Sequence, residues 1–260
     1  MLTYNQIENF FPKNVSAIYT TKSLNFKSNF SLKKNLNDDE KKIVLANRKL
    51  IERNLKVKIK WLNQVHKNET VDLDNSENVN ADSSFCSKNK IASTVFVADC
   101  LPILVSSANG VIIGSIHAGW RGLCSNIIGN FLTKFNKKIN YLKNNLDTRG
   151  EKNNKNFYPL HFWFGPCISK KNYEVGNDVK KKFDELGNNY SNFFHKIDNN
   201  KWLCDIKMIA VEMVKNQLFS REKFTFFIDD RCTYDDSSLF YSYRKKMDSE
   251  RIAVLIWKKF

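Results

Sequence analysis

The sequence predicts a mixed α/β fold in which helices cover sheets that contain both parallel and antiparallel strands. Apolar runs rich in Val, Ile and Phe alternate with segments of helical periodicity, which favours sheets with helices on their outer faces. Two of these runs, residues 95–106 and 111–117, flank a Ser-Ser-Ala-Asn-Gly turn signal and are expected to be adjacent strands. With 260 residues, 42% of them hydrophobic, the chain can bury a sizeable core, and no internal repeat or interdomain linker interrupts it.

The segment before these strands is expected to contain a strand, a helix and a second short strand. Val15–Thr20 predicts the first strand, and residues 70–73 predict a short strand inside a polar connection. The run Asp38-Asp39-Glu40 is expected to cap a helix, because acidic side chains face the positive end of the helix dipole. The expected buried stripe of this helix consists of Ile43, Val44, Ala46, Leu50 and Ile51.

The segment after the paired strands alternates between helices and strands up to the last strand. A helix is expected where apolar residues recur every three or four positions, at Trp120, Leu123, Ile127, Phe131 and Phe135. The polar residues 136–157 are expected to finish this helix and to continue as an exposed, mobile loop. The remaining expected elements are strands at 159–164, Phe224–Ile228 and 252–257, and helices through Val179, Phe183 and Leu186 and from residue 205 to about 218.

Three residues that can bind a metal interrupt or end apolar runs. Cys100 interrupts the first of the paired runs, His117 closes the second, and His66 ends an upstream run that begins at Trp61. One Cys and two His suit zinc, and three protein ligands leave the fourth position open, as catalytic zinc sites require. Taken one at a time, a core cysteine and surface histidines remain the simpler interpretation.

The same residues also fit other kinds of site. Cys100 as a nucleophile with His117 as its base would make a metal-free cysteine hydrolase or deamidase, for which His66 is not required. Copper is less favoured than zinc, because four histidines cannot build a trinuclear copper cluster together with a blue-copper site. A non-enzymatic binding module would carry the site without turnover. His161 and His195 are expected to be packing or surface residues rather than ligands.

Five short motifs occur in an order that resembles one known family. They are Gln64-Val65-His66, Ala98-Asp99-Cys100-Leu101-Pro102, His117-Ala118-Gly119-Trp120-Arg121-Gly122, Gly165-Pro166-Cys167-Ile168 and Cys232-Thr233-Tyr234. Together they resemble the laccase-domain family, which was long labelled multicopper polyphenol oxidase and is now described as purine nucleoside phosphorylases. The resemblance spans roughly residues 15–257, with Glu250-Arg251 in place of the usual Gly-Arg.

The resemblance implies a single domain over residues 1–260 with a layered α/β/β/α architecture. It implies a zinc-dependent enzyme that converts adenosine, inosine, guanosine or methylthioadenosine and phosphate into the free base and a ribose 1-phosphate. His66, Cys100 and His117 are the implied zinc ligands, and Cys100 and His117 are also implied in catalysis. Because zinc lowers the pKa of a bound water to roughly 7, adenosine deamination is a further implied activity.

Cations and backbone amides beside these motifs are expected to contact substrate. Arg121 is a catalytic and phosphate-binding candidate, because its planar guanidinium suits bidentate contact with phosphate. Arg244, in a Ser-Tyr-Arg segment similar to that of the family, is a second candidate, and a structural ion pair is the alternative for either arginine. The Gly165-Pro166 turn is expected to expose Cys167 and its neighbouring amides to substrate, with a tight turn and a buried thiol as the alternative.

Two acidic residues lie next to the candidate ligands in sequence. Asp82 could orient a ligand histidine or cap a local turn, and the sequence leaves both open. Asp99 could be an acid–base group, but strand alternation would point its side chain away from Cys100.

Composition sets the expected partners and compartment. The net charge of +15 raises the question of nucleic acid, but the lysines are spread among many asparagines and no RNA-binding aromatic signature or zinc-finger spacing accompanies them. The same positive field favours phosphate and other small anions. The six cysteines contain no CxxC pair, which favours free thiols in a reducing compartment. Since no apolar run approaches the roughly 20 residues that span a bilayer, and the start lacks a signal-peptide pattern, a cytoplasmic location without membrane contact is expected.

Overall fold

The computed structural model describes residues 4–22, 37–148, 157–187, 190–218 and 224–259. The strands in these ranges are Tyr4–Gln6 (β1), Val15–Thr20 (β2), Lys58–Lys60 (β3), Thr70–Asp72 (β4), Ser83–Cys86 (β5), Ile91–Val97 (β6), Leu101–Ser106 (β7), Ile113–Ala118 (β8), Leu160–Phe164 (β9), Glu174–Gly176 (β10), Phe194–Asp198 (β11), Lys201–Cys204 (β12), Phe224–Ile228 (β13) and Ile252–Lys258 (β14). The helices are Asp38–Leu55 (α1), Trp120–Cys124 (α2), Ile127–Thr148 (α3), Asn177–Glu185 (α4), Ile206–Leu218 (α5) and Tyr243–Lys246 (α6), with a 3-10 turn at Tyr190–Phe193.

Two larger sheets carry the fold, and each mixes strand directions. The first has the order β1-β2-β14-β6-β3, in which β6 is antiparallel to β14 and parallel to β3. The second has the order β13-β9-β7-β8-β5-β4, with antiparallel strands at its centre and a parallel pair at each edge. A small antiparallel sheet of β10, β12 and β11 lies apart from both.

The two larger sheets share a core, and helices cover their other faces. Val95 of the first sheet and Leu104 of the second belong to the same buried cluster, which lies between the sheets. A separate cluster joins Ile51 of α1 to the first sheet. The largest cluster joins Phe131 of α3 and Ile209 of α5 to the second sheet. This layering confirms the predicted mixed α/β architecture with helices outside the sheets.

The hairpin of β7 and β8 at the centre of the second sheet confirms the predicted pairing. Ile103 lies opposite Ile116 in its register. The connection turns at Gly110, whose φ of 63° is a left-handed conformation that glycine adopts without steric cost. An added Cβ at Gly110 would also lie 2.3 Å from the side-chain oxygen of Asn14, so the turn has no room for one.

The single strand expected at 95–106 is wrong. The run divides into β6, which belongs to the first sheet, and β7, which belongs to the second. The chain crosses between the sheets at residues 98–100, where Asp99 has a φ of 81°. Both strands are apolar because each is buried, and the polar break between them is too short to predict that the chain changes sheets. Cys100 consequently lies at the junction of the sheets.

Helix α1 forms where the sequence predicts it, but its cap and its buried stripe differ. Asn37 is the cap: its side chain accepts the Glu40 N–H at 2.8 Å, and the Glu40 carboxylate accepts the Asn37 N–H at 2.9 Å. The buried residues are Val44, Asn47 and Ile51. Ala46 is exposed, and so are the predicted stripe members Ile43 and Leu50. The buried residues are spaced at i, i+3 and i+7, so the buried face of the helix is narrower than the apolar stripe and includes the polar Asn47.

The helix expected after His117 is divided in two. Asn126 has a φ of 61° between α2 and α3, and its side-chain oxygen accepts the Gly129 N–H at 3.2 Å. Asparagine tolerates this conformation and caps the helix that follows, so apolar spacing alone did not reveal the break. Helix α3 extends to Thr148, within the range 136–157 in which the helix was expected to end, and residues 149–156 of the expected loop lie outside the described residues.

The remaining predicted elements are confirmed with small changes at their ends. These are β2, β4, β9, β13, β14, α4 and α5. Strands of three to five residues, such as β3, β10 and β11, were not predicted. Among the described residues, no helix is both long and apolar enough to cross a membrane.

Candidate metal and substrate site

Three side chains from separate elements meet where the two larger sheets join. Cys100 precedes β7, His117 lies at the end of β8, and His66 follows β3 in a loop. The Cys100 sulfur and the nearest imidazole nitrogens all lie within 4.8 Å of one another. The two imidazole rings are perpendicular, with centroids 4.8 Å apart. The structure thus brings together the three residues that the sequence singled out as ligands.

The buried carboxylate of Asp82 positions both histidines. Asp82 is 0% exposed, and its Oδ1 lies 2.8 Å from Nδ1 of His117. The same carboxylate accepts the backbone N–H groups of Val65, His66 and Lys67 at 3.1, 2.9 and 2.8 Å. The loop can therefore hold His66 at a φ of 59°, which is uncommon for a residue with a side chain. The structure shows both roles left open for Asp82: it contacts His117 and it accepts the backbone N–H groups of the loop at residues 65–67.

The electrostatics of the cluster favour a thiolate and a protonated imidazole when no metal is present. Burial alone raises the pKa of Cys100, but His117 and His66 together lower it to about 6. Burial lowers the pKa of His117, whereas Cys100 and Asp82 raise it to about 9. Although burial raises the pKa of the Asp82 carboxyl, its hydrogen bonds to His117 and the backbone hold it below the usual value.

The residues present fit a metal ion such as zinc. One thiolate sulfur and two imidazole nitrogens are ligands that zinc accepts, and the Asp82 contact leaves Nε2 of His117 as the nitrogen that faces Cys100. An added Cβ at Gly119 would lie 3.1 Å from the Cys100 sulfur and 3.8 Å from Nε2 of His117. The glycine thus keeps the space beside these two atoms free.

A cleft of about 750 Å³ opens above the cluster. Its volume lies within the range of about 300–1,000 Å³ that is typical of small-molecule sites. The residues that line the cleft include Phe96 of β6, Tyr173, and Tyr243 and Arg244 of α6. The backbone of Phe96 is held by Gln64, which accepts its N–H at 2.6 Å and donates to its carbonyl at 2.9 Å.

Arg121 and Arg244, the predicted phosphate-binding residues, both line this cleft and are exposed. The guanidinium of Arg121, in α2, lies 4.4 Å from the centre of the Trp120 ring. That of Arg244, in α6, lies 5.4 Å from the centre of the Tyr173 ring and donates to the carbonyl of Glu174 at 2.7 Å. Neither guanidinium has a carboxylate partner among the ion pairs of the described residues. Both are therefore available to pair with an anion in the cleft.

The expected exposure of Cys167 is wrong. Its thiol is 1% exposed and donates to the carbonyl of Ile168 at 3.5 Å, and burial raises its pKa to about 12. The neighbouring amides are also engaged: that of Ile168 donates to the Asp99 carbonyl at 3.0 Å, and that of Ser169 to the Cys232 sulfur at 3.2 Å. Cys167 pairs with Cys232 in a parallel β-bridge, and Ile168 rather than Cys167 lines the cleft.

The opposite directions expected for the side chains of Asp99 and Cys100 stay a prediction. Strand alternation does not apply at the sheet crossing, and both Asp99 and Cys100 line the cleft. Two further lining residues had no predicted role. Tyr173 carries no sequence signal that separates it from a core aromatic residue. Arg251 stood in a motif position, and its guanidinium donates to the carbonyls of Asp248 and Glu250 at 2.7 Å each.

The other histidines take no part in the cluster. Nδ1 of His161 lies 2.6 Å from the Thr225 hydroxyl on the neighbouring edge strand. His195 lies in β11 of the small sheet. The one group of three or more potential ligand side chains within the described residues is His66, Cys100 and His117. None of the six cysteines forms a disulfide.

Comparison with known proteins places these features in one family. Residues 17–259 match the family described as multi-copper polyphenol oxidoreductase laccase. A purine nucleoside phosphorylase of Pseudomonas aeruginosa is 29% identical over 221 residues, which cover 85% of this chain and 82% of that protein. A purine nucleoside phosphorylase of Haemophilus influenzae is 28% identical over 254 residues, which cover 95% of each chain.

A solved structure shares the fold over its whole length. The crystal structure of a Neisseria meningitidis protein superimposes with a TM-score of 0.79 at 25% identity, and the match covers 99% of this chain and 100% of that one. The chain belongs to the multi-copper polyphenol oxidoreductase laccase family, whose motifs converge here on the His66–Cys100–His117 cluster.

Proposed function

We propose that the chain, as one domain over residues 1–260, is a zinc-dependent purine nucleoside phosphorylase. It would convert adenosine, inosine, guanosine or methylthioadenosine and phosphate into the free base and the corresponding ribose 1-phosphate. The observation that carries the proposal is the cleft of about 750 Å³, which is lined by the His66–Cys100–His117 cluster and by Arg121 and Arg244. The phosphorylase names of the relatives support the same reaction.

The proposed roles follow from the position of each residue. His66, Cys100 and His117 would hold zinc, which would supply Lewis-acid chemistry there. Asp82 keeps the proton of His117 on Nδ1, so that Nε2 presents a lone pair to the metal site. Cys100 and His117 are thus the catalytic candidates at the base of the cleft.

Arg121 and Arg244 would hold the phosphate that attacks the anomeric carbon of the nucleoside. Their guanidinium groups present planar pairs of N–H donors, which match phosphate oxygens better than an ammonium group does. The ring of Tyr173 offers an apolar surface beside Arg244 for the nucleoside. Cys167 has no proposed contact, because its thiol is buried outside the cleft.

Adenosine deamination is proposed as a second activity of the same site. It needs water instead of phosphate at the cluster and leaves the glycosidic bond intact. A protein located in the cytoplasm would meet both nucleosides and phosphate, and no nucleic acid or membrane partner is proposed.

A metal-free cysteine hydrolase or deamidase is the second candidate. It is favoured by one observation, the lowering of the pKa of Cys100 to about 6 beside His117. His66 distinguishes the zinc-dependent phosphorylase from the cysteine hydrolase, because a metal site needs this residue and a Cys–His dyad does not. Loss of turnover in His66→Ala, with Cys100 still reactive towards iodoacetamide, would favour the metal site.

The test of the proposal is a product assay on metal-analysed protein. Adenosine and inosine are supplied with and without phosphate, and the products are separated by chromatography. Phosphate-dependent release of adenine and hypoxanthine is the expected result. Release of neither base, together with no deamination and no bound zinc, would contradict the proposal and favour the cysteine hydrolase.

A further inference from the structure

Asp99 lies at the crossing between the two sheets, and its polar groups hold three other segments of the chain. Its backbone carbonyl accepts the N–H of Ile168 at 3.0 Å. Its Oδ1 accepts the hydroxyl of Thr233 at 2.7 Å, and its Oδ2 accepts the backbone N–H of Arg244 at 2.6 Å. One residue therefore joins, around the cleft, segments that are up to 145 positions away in sequence.

The backbone of Asp99 has a conformation that a residue with a side chain rarely adopts. Its φ is 81°, and the residue is 8% exposed. Such a conformation persists when surrounding contacts determine it, and here the contacts are the three hydrogen bonds just described. Since Asp99 directly precedes Cys100, the same contacts determine the direction in which Cys100 enters the cluster.

Arg244 depends on Asp99 for the position of its backbone. It lies in the first turn of α6, a helix of four residues whose Ser242 cap accepts the N–H of Lys245 at 3.1 Å. The Arg244 N–H has Asp99 as its acceptor instead. The guanidinium at the other end of the residue is fixed over Tyr173. Asp99 thus anchors the inner end of a side chain that reaches into the cleft.

We propose that Asp99 is a positioning residue that keeps Arg244 and Cys100 in a fixed relation, and not an acid–base group. The proposal rests on the proposed function and assigns a specific part of it. Both carboxylate oxygens of Asp99 already accept hydrogen bonds from protein donors. Their direction matters more for this role than their charge, so an amide that reproduces the hydrogen bonds is able to replace the carboxylate.

Two variants separate positioning from acid–base chemistry. In Asp99→Asn, the amide oxygen accepts the Arg244 N–H and the amide nitrogen donates to the Thr233 hydroxyl, so both contacts persist. In Asp99→Gly, the left-handed backbone is retained without steric cost, but both side-chain contacts are lost. We expect Asp99→Asn to keep kcat/KM for phosphorolysis within about threefold, whereas Asp99→Gly lowers it at least about tenfold, chiefly through the KM for phosphate.

A second readout does not depend on turnover. Hydrogen exchange of the Arg244 amide, followed by mass spectrometry on peptides that cover residues 240–248, should become faster in Asp99→Gly and remain near the wild-type rate in Asp99→Asn. Asp74→Asn is the matched control, because Asp74 is a buried hydrogen-bonded carboxylate that does not line the cleft. It should alter neither the phosphate KM nor this exchange rate.

The outcomes distinguish the two proposals. If Asp99→Asn loses as much activity as Asp99→Gly, or if exchange at Arg244 is unchanged in Asp99→Gly, positioning by Asp99 is wrong. Wild-type protein without phosphorolysis, but with the expected exchange rates, would contradict the phosphorylase and leave the anchoring of Arg244 by Asp99 in place. Should Asp99→Gly fail to fold, Asp99→Asn still decides, because an acid–base group would not survive that change.

Discussion

Replacement of Asp82 by asparagine should weaken zinc binding and destabilise the fold together. The carboxylate accepts four N–H groups, two at each oxygen: His66 and His117 at Oδ1, and Val65 and Lys67 at Oδ2. An asparagine keeps one acceptor oxygen, and its NH₂ group would face the other two donors. If the NH₂ group faces His117, the proton of that ring must move to Nε2, the nitrogen required for the metal.

The magnitude follows from the two N–H groups that lose their acceptor. Residues 65–67 are exposed, so each lost hydrogen bond costs about 0.5–1.5 kcal/mol, and Asp82→Asn should lower the free energy of unfolding by about 1–3 kcal/mol. Loss of a carboxylate that orients a ligand histidine typically lowers metal affinity by about 10–100-fold, which corresponds to about 1.4–2.8 kcal/mol.

Zinc affinity would be measured by competition with a chromophoric chelator, and stability by urea unfolding of the metal-free protein. Asp74→Asn is again the control, since its 4% exposed side chain pairs with Lys138 at 2.9 Å and lies outside the cleft. The control should lose stability and keep its zinc affinity. Wild-type zinc affinity in Asp82→Asn would refute the role assigned to this carboxylate.

Three further predictions concern the cluster and the core. Gly119→Ala should lower zinc affinity, because the added Cβ lies 3.1 Å from the Cys100 sulfur. The stability of the metal-free protein should change little, since the backbone φ of −75° suits alanine. Equal zinc affinity in the variant and the wild type would contradict this. In metal-free protein the Cys100 thiol should lose its proton near pH 6, because His117 and His66 lower its pKa against the opposing effect of burial. Thiolate ultraviolet absorbance should rise near pH 6, and Cys100→Ser should lack that step; a wild-type titration without it would be the opposing result. Gly114→Ala should lower the free energy of unfolding by about 1–3 kcal/mol. Its Cβ would lie 2.6 Å from the Phe131 ring and 2.7 Å from the Ser84 carbonyl. An unchanged midpoint of urea unfolding would contradict that packing.

Much of the candidate site could be predicted because its potential metal ligands end or interrupt apolar runs. His66, Cys100 and His117 each lie where a run stops, and the fold brings those points to one junction between the sheets. The β7–β8 hairpin was predictable as well, since its turn contains Gly110 at a position that requires a positive φ.

Other features depend on contacts between segments that are distant in sequence, and the spacing of apolar residues does not predict such contacts. The crossing at Asp99 was missed because residues 95–106 remain apolar while they pass from one sheet to the other. Cys167 was expected at the surface from its Gly-Pro turn, but a bridge to Cys232 buries it. Tyr173 lines the cleft next to the β10–β12 pairing, and its own sequence context shows nothing unusual.

Dependence of activity on metal at the cluster tests the central claim most directly. Wild-type protein would be stripped with a chelator, assayed for phosphate-dependent release of hypoxanthine from inosine, and assayed again as zinc is added back. We predict that activity is lost on stripping and returns with about one zinc ion per chain, and that His66→Ala neither retains the ion nor recovers. Full phosphorolysis by metal-free protein, or undiminished activity in His66→Ala, would contradict the account.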